Sequence, residues 1–197
     1  MVVAQPSTVP TNIMFRKGTS GLERLKQIEY LKTKIREAFE VMISRDCPPG
    51  QLKKEEVSSV MRYLGRFPSE AQIVQTILPL IQEDEPPNNI TYEKFEPFIL
   101  KCIMENEYEP DDAETLLACF RVLDTEQKGY IDAEAMRELT MNQGIQFFQE
   151  VWDKFYDDSF DHEAKVIHYE EYIANLMLEN DKHMEMLMKD YDTFQYP

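Results

Sequence analysis

FRVLDTEQKGYIDAEAMREL, residues 120–139, reads as the end of one helix, a tight acidic turn, a single β-step and the start of a second helix. Asp124 opens a twelve-residue window. Gly129 falls sixth, where a sharp turn requires a residue that tolerates positive φ, and Ile131 falls eighth. A loop that wraps calcium takes its oxygens from positions 1, 3, 5, 7, 9 and 12, with a backbone carbonyl at 7 and a bidentate Glu at 12. Here those places hold Asp124, Glu126, Lys128, Tyr130, Asp132 and Ala135. Asp124, Glu126, Tyr130 and Asp132 are the vestigial ligand candidates. Lys128 brings an ammonium to the fifth place, and Ala135 has no oxygen for the twelfth. Glu134 is one residue early, a displacement that turns a helical side chain by about 100°. The loop keeps its shape and has lost its cage.

That outline is the EF-hand, and it recurs on either side. Leu25, Ile28, Leu31, Ile35, Ala38, Phe39 and Met42 fall three and four apart and predict a helix over 22–42. CPPG ends it, Leu52 stands as a lone apolar step, and Val57, Val60, Met61 and Leu64 predict the next helix, stopped at Gly65. Ser69 and Gln72 form a capping box for a third helix, which Pro79 should kink or shorten. Ile90 precedes a helix over 92–104, with a kink expected between Glu93 and Pro97. Asp111 or Asp112 caps the helix that carries Leu116, Leu117, Phe120 and Leu123. The fourth unit runs from Ile145 through Tyr156 and Ile167 to a helix that starts at Tyr169 and extends past Met188, before a tail bearing Tyr191, Phe194 and Tyr196. The apolar steps Leu52, Ile90, Ile131 and Ile167 are 38, 41 and 36 residues apart, a fourfold internal repeat. One unit buries too little alone. Leu52 should therefore face Ile90, and Ile131 face Ile167, on two-residue antiparallel bridges.

The expected fold is all-α: four EF-hand-like helix-loop-helix units paired into two lobes, each with a short antiparallel β bridge. The expected organisation is a flexible N-terminal arm over 1–21, an N-lobe over 22–104, an acidic linker over 105–111, a C-lobe over 112–180, and a helical extension and tail over 181–197. In the arm, Phe15 with Arg16 and Lys17 is the sole hint of a segment that orders on a partner.

The other loops are poorer in ligands. Counting back from Glu56 in the first puts Arg45, Cys47 and Pro49 at places 1, 3 and 5. The second has Glu83 first and Glu85 third, but Pro87 fifth, Asn88 sixth and a cation, Lys94, twelfth. The fourth has Asp161, Glu163 and Glu171 with Lys165 where glycine belongs, and is one residue short; pairing of Lys165 with a nearby acid would close it. No cofactor is expected, calcium included. In the third loop Lys128 is placed to supply internally the charge an ion would bring to Asp124, Glu126 and Asp132.

A net charge of −16 over 197 residues excludes the basic surface that neutralises phosphates, so nucleic acid is not an expected partner. No apolar run approaches the ~20 residues of a membrane span, and no apolar leader follows a charged start. An intracellular chain with reduced thiols is expected. The three cysteines lack CxxC spacing, and Cys102 and Cys119 read as core filler. His162, His168 and His183 form no i, i+4 pair and have no zinc spacing with cysteine. No glycine-rich phosphate loop or nucleophile motif is present, and no enzyme is expected. Eleven Met, a side chain overused on adaptable grooves, favour a surface that accepts a partner helix.

The repeat region, about residues 28–178, resembles the calmodulin superfamily in EAF at 37–39, VMRYLG at 60–65, SEAQ at 69–72, FRVLD and GYI within 120–131, and YEEY at 169–172. Within that superfamily, AFEV from Ala38, EDEPPNNITYEKF from Glu83, a Y-x-P from Tyr108 and RVLDTEQKGYI from Arg121 resemble the small EF-hand subunits of the axonemal dynein regulatory complex. CPPG and the arm do not belong to the shared pattern. The resemblance implies a cytoplasmic, cytoskeletal protein of the ciliary or flagellar axoneme. There it would belong to the nexin link that regulates dynein, held on long helical, coiled-coil subunits. Phe39, Met61, Leu64, Phe120, Met136 and Met177, on intact helix faces beside damaged loops, are the expected partner-binding residues. A calcium-responsive sensor and a motor light-chain-like subunit on a basic IQ-type helix are the alternatives.

Overall fold

The computed structural model describes residues 20–45, 47–83 and 88–195. The expected arm before Ser20, Glu85 and Pro87 of the second loop, and Tyr196 lie outside the described residues. The elements are α1 Gly21–Met42, β1 Gln51–Lys53, α2 Val57–Tyr63, α3 Glu70–Gln72, α4 Leu78–Ile81, β2 Asn89–Thr91, α5 Tyr92–Glu105, α6 Ala113–Leu123, β3 Ile131–Asp132, α7 Ala133–Asn142, α8 Gln149–Ser159, β4 Val166–Ile167 and α9 Tyr169–Met188. The all-α plan of four helix-loop-helix units stands.

The strand registers are those the repeat demands. In the first sheet Leu52 pairs with Ile90, and in the second Ile131 pairs with Ile167, both antiparallel. The first is three residues long rather than two. Leu52, Ile90 and Ile167 are fully buried, each contributing about 1.5–3 kcal/mol of apolar burial. The bridge thus holds the two loops of a lobe together through its side chains as well as its hydrogen bonds.

Caps and breakers act locally. Ser69 and Gln72 form the reciprocal capping box, with Gln72 N–H to Ser69 Oγ at 3.2 Å and Ser69 N–H to Gln72 Oε1 at 2.7 Å. Asp112 caps α6, accepting from Thr115 N–H at 2.7 Å. Ahead of Pro79 the backbone widens into a π-helical stretch, Ile73–Ile77, between α3 and α4. This wider winding accommodates a residue that has no N–H and whose ring crowds the preceding turn. α5 continues through Pro97 as one helix. The helix expected from Ile145 starts only at Gln149, because Gly144 turns with φ +63° and Phe147 N–H bonds back to the Thr140 carbonyl at 2.9 Å.

The chain divides into two compact units. Residues up to Pro110 together with those from Lys182 make one, and Asp111–Asp181 make the other. Two expected boundaries therefore shift. The linker is not free of the N-lobe: Phe67 N–H donates to the Tyr108 carbonyl at 2.7 Å. Fully buried Arg66 reaches the Glu107 carbonyl at 3.4 Å and the Glu109 carboxylate at 3.7 Å. Burial lowers the Arg66 pKa, and Glu109 opposes that shift. The extension is no free tail either: Met184 and Leu187 are buried in the N-lobe core with Leu31, Phe39, Met61 and Leu64. The C-lobe core is a separate cluster of Ile131, Met136, Trp152, Phe160, Ile167 and Tyr169.

Candidate partner-binding faces and the closed loops

In each loop, polar groups among the described residues are met from within the chain. In the first, the Glu56 carboxylate accepts from Lys53 N–H at 3.0 Å and from the Ser44 hydroxyl. Its oxygens cap the turn. In the second, Lys94 Nζ lies 3.0 Å from Glu83 Oε2 and donates to the Gln82 carbonyl at 2.9 Å, while the Thr91 hydroxyl donates to Glu83 Oε1 at 2.8 Å. The ammonium and then the hydroxyl hold the Glu83 pKa below the usual carboxylate range. A cation at the twelfth place neutralises the acid at the first.

In the third loop Asp124 is buried. Its oxygens accept from Lys128 N–H at 2.9 Å, Gly129 N–H at 2.7 Å and the Tyr169 hydroxyl at 3.0 Å. Burial alone would raise its pKa, but these donors bring it below the ordinary value. Gly129, at φ +80°, turns its N–H onto that carboxylate, which is why glycine is required there. Lys128 is not in the loop centre. Its ammonium pairs with Glu126 at 2.7 Å on the surface, and that hydrogen bond is the chief cause of its raised pKa. Its backbone N–H, rather than its charge, meets Asp124. Tyr130 is half-buried and Asp132 is exposed as the N-cap of α7. In the fourth loop Asp161 Oδ1 accepts from Glu163 N–H at 2.8 Å and Ala164 N–H at 3.0 Å, which lower its pKa. The Asp161 carbonyl takes Lys165 N–H at 2.7 Å, and Lys165 itself adopts φ +56°. That loop is closed by backbone donors, not by the Lys165 side chain. Among the described residues no group of three or more His, Cys, Asp or Glu side chains is placed to hold a metal ion.

The six expected contact residues fall into two environments. Phe39, Met61 and Leu64 are fully buried in the N-lobe, with Phe39 edge-on to Tyr92 at 5.4 Å and tilted against Phe95 at 5.5 Å. In the C-lobe Met136 is buried, and Phe120 and Met177 are half-buried. Phe120 stacks on Tyr169 at 5.6 Å and meets Tyr172 edge-on. The helix α6 buries none of its residues: Leu116 and Phe120 are half-buried, and Leu123, on the same stripe, is exposed. Val122 is 75% exposed, and Phe148, ahead of α8, is 77% exposed. Cys119 is also exposed, contrary to its reading as core filler, because it falls beside that stripe. Cys102 is buried, and burial followed by the Glu107 carboxylate pushes its thiol up to about 12, which makes it no nucleophile at neutral pH. What the sequence did not single out is the contact of α9's last turns with the N-lobe. The Met184, Leu187, Met188 spacing was its available signal.

No family model matches the chain. It is 28% identical over 165 residues, 84% of this chain and 98% of the relative, to a Mus musculus protein named dynein regulatory complex protein 8. A Homo sapiens protein of that name matches at 29% over 126 residues, 64% of this chain and 45% of the relative. A Chlamydomonas reinhardtii one matches at 27% over 153 residues, 75% and 91% respectively. Among solved structures, a chain of the Physarum polycephalum myosin II regulatory domain superposes with TM-score 0.58 at 23% identity, over 74% of this chain and 93% of that one. Mlc1p bound to IQ2 of Myo2p, a class V myosin, superposes with TM-score 0.55 at 17% identity, over 72% and 96%. The chain thus has a calmodulin-like fold of four EF-hand-like units, and in sequence it is similar to the proteins named dynein regulatory complex protein 8.

Proposed function

We propose that this chain is a non-catalytic, calmodulin-like subunit of the axonemal dynein regulatory complex, held on a long helical, coiled-coil subunit and acting in ciliary or flagellar motility without calcium. The observation that carries the reading is the similarity to dynein regulatory complex protein 8 over nearly the whole length of the mouse relative. The C-lobe supplies a means. Leu116, Phe120 and Leu123 of α6, with Met177 and above the buried Met136, offer an apolar stripe to one face of an amphipathic helix. A helix seated there would bury the side chains that α6 leaves exposed. Phe39, Met61 and Leu64 shape the equivalent face of the N-lobe.

The loop chemistry supports independence from calcium. An ion entering the third loop would have to displace three donors from Asp124 and would find Ala135 at the place of the bidentate Glu. Crosslinking in intact axonemes is the test of the partner, with contacts expected from 113–123 and 169–181 to a coiled-coil subunit. Crosslinks to a motor neck instead would overturn the assignment. Isothermal titration of the isolated chain with calcium should give no micromolar site, and one well-defined site would restore the sensor reading.

A further inference from the structure

The C-lobe unit has five cations, and it matches three of them to acids on its surface: Arg121 with Glu170 at 3.4 Å, Lys128 with Glu126 at 2.7 Å and Lys154 with Asp158 at 2.9 Å. The other two, Arg137 and Lys165, have no carboxylate at ion-pair distance among the described residues, in a unit crowded with acids. Both line one open cleft of about 640 Å³, between the start of α7, the face of α8 and the fourth loop. The Arg137 guanidinium is half-buried. Among the described residues its sole acceptor is the Gln149 side-chain oxygen, 3.2 Å from Nη2, and its Nε is shielded from solvent with no acceptor. Gln149 in turn donates its amide to Asp153 at 2.6 Å, so the nearby carboxylate is spent on an amide and the guanidinium keeps a neutral partner. The backbone of Lys165 closes the fourth loop, and its exposed ammonium takes no part in that closure.

A half-buried guanidinium without a carboxylate is a charge that binding completes, and Arg pairs best with a carboxylate because its planar fork matches two oxygens. Trp152 and Tyr156, with rings 6.1 Å apart and tilted by 32°, supply an apolar wall to the same cleft. Exposed Asp132, Glu134 and Asp153 also line it and set a condition on what enters. A phosphate or other polyanion meets three negative charges there. A single carboxylate on an apolar stem reaches Arg137 and Lys165 at less cost, and a cation beside it on the same ligand faces the acids. The outward faces of coiled coils carry that mixture, Glu and Lys within one helical turn of each other.

We infer that this cleft is a second docking surface of the C-lobe, in which a Glu or Asp side chain from the charged outer face of the coiled-coil subunit is held between Arg137 and Lys165. The inference rests on the coiled-coil partner proposed above. It differs from the α6 stripe in what it recognises: the stripe meets apolar side chains, and the cleft meets one acid.

Trp152 is the sole tryptophan and lines the cleft, so the fluorescence of the full chain reports its occupancy. Phenylpropionate and phenylpropylamine serve as probes, alike in shape and opposite in the sign of the head group. The carboxylate should quench or shift Trp152 saturably at millimolar concentration and bind about tenfold more tightly than the amine. Arg137→Gln should abolish that preference. Lys165→Gln, at an exposed position where unfolding is not at issue, should reduce it. Preference for the amine would show that the rim acids rule the cleft, and binding unaltered in both variants would put the probe elsewhere in the lobe; either result, or no binding at all, overturns the inference. The source of the carboxylate is tested in axonemes that lack the chain: the double variant, once incorporated, should be extracted at lower salt than the unaltered chain. Equal extraction beside an intact fluorescence preference would make the occupant a free carboxylate and overturn its assignment to a partner. Failure of the unaltered chain to enter axonemes would instead overturn the proposed function, and the partner-borne acid with it, while the fluorescence result stands by itself.

Discussion

The two lobes are built from the same repeat and end in opposite conditions. In the N-lobe, Leu31, Ile35, Phe39, Leu52, Met61, Leu64, Phe95 and Ile99 have almost no exposed surface. In the C-lobe, α6 carries an apolar stripe of the same kind and buries none of its residues. Helix propensity does not separate them, nor does the bridge, which has the same apolar pairing in both. The difference is a supplied helix: the N-lobe has Met184 and Leu187 in its core, and the C-lobe cluster has no counterpart among the described residues. In the N-lobe the end of α9 covers the apolar face, and in the C-lobe α6 leaves its stripe partly exposed.

Truncation of matched phenylalanines should widen that contrast most. Phe39→Ala removes a fully buried ring and should cost the N-lobe about 3–5 kcal/mol, whereas Phe120→Ala, from a half-exposed position, should cost the C-lobe roughly a third of that. The two are separable in one urea titration. Trp152, the only tryptophan, lies in the C-lobe core and reports that lobe by fluorescence, while exchange at Leu52 and Ile90 reports the other. Equal losses would break the comparison.

Calcium sharpens it from the other side. Lys128→Asp combined with Ala135→Glu restores oxygens at the fifth and twelfth places around an Asp124 already held in position. The double variant should acquire a calcium site detectable by calorimetry, and at a hundredfold excess over Kd should gain about 2.7 kcal/mol in the Trp152 transition. No binding would mean that the turn, as well as its ligands, has drifted from the geometry an ion requires.

The smallest effect expected is one of pH. The folded Asp124 pKa lies below its unfolded value, so its contribution is fully present above the ordinary aspartate range of about 3.9. As pH falls through that value the unfolded chain takes up the proton first, and the contribution is lost on the way down to the folded pKa. Asp124→Asn should flatten this part of the acid limb of the C-lobe transition and leave the N-lobe, where Glu83 is held low by Lys94, unchanged. An unaltered limb would show that the three donors add nothing beyond geometry.

The registers were legible because each rests on a local count. Leu52, Ile90, Ile131 and Ile167 recur at nearly constant intervals, and a two-residue strand has few other ways to bury its apolar member. Ser69 and Gln72, a cap at Asp111 or Asp112, and Gly65 and Gly129 were equally readable, since caps and positive φ are decided within four residues of chain, and the structure chose Asp112. Lys128 was misplaced by the same method. Its position in the loop is countable, but the direction of its ammonium depends on whether Glu126 on the surface or Asp124 inside offers the better partner, and backbone donors had already taken Asp124.

The sequence by itself determined four helix-loop-helix units, their pairing and the loss of calcium ligands, because each follows from spacing and side-chain chemistry over a dozen residues. Only the tertiary structure decided what fills each lobe. Whether Met184 and Leu187 lie in solvent or against Gly65 and Tyr30 depends on contacts between residues more than a hundred positions apart. Burial there is set by which surface is available, and apolar spacing alone does not name the surface it will meet.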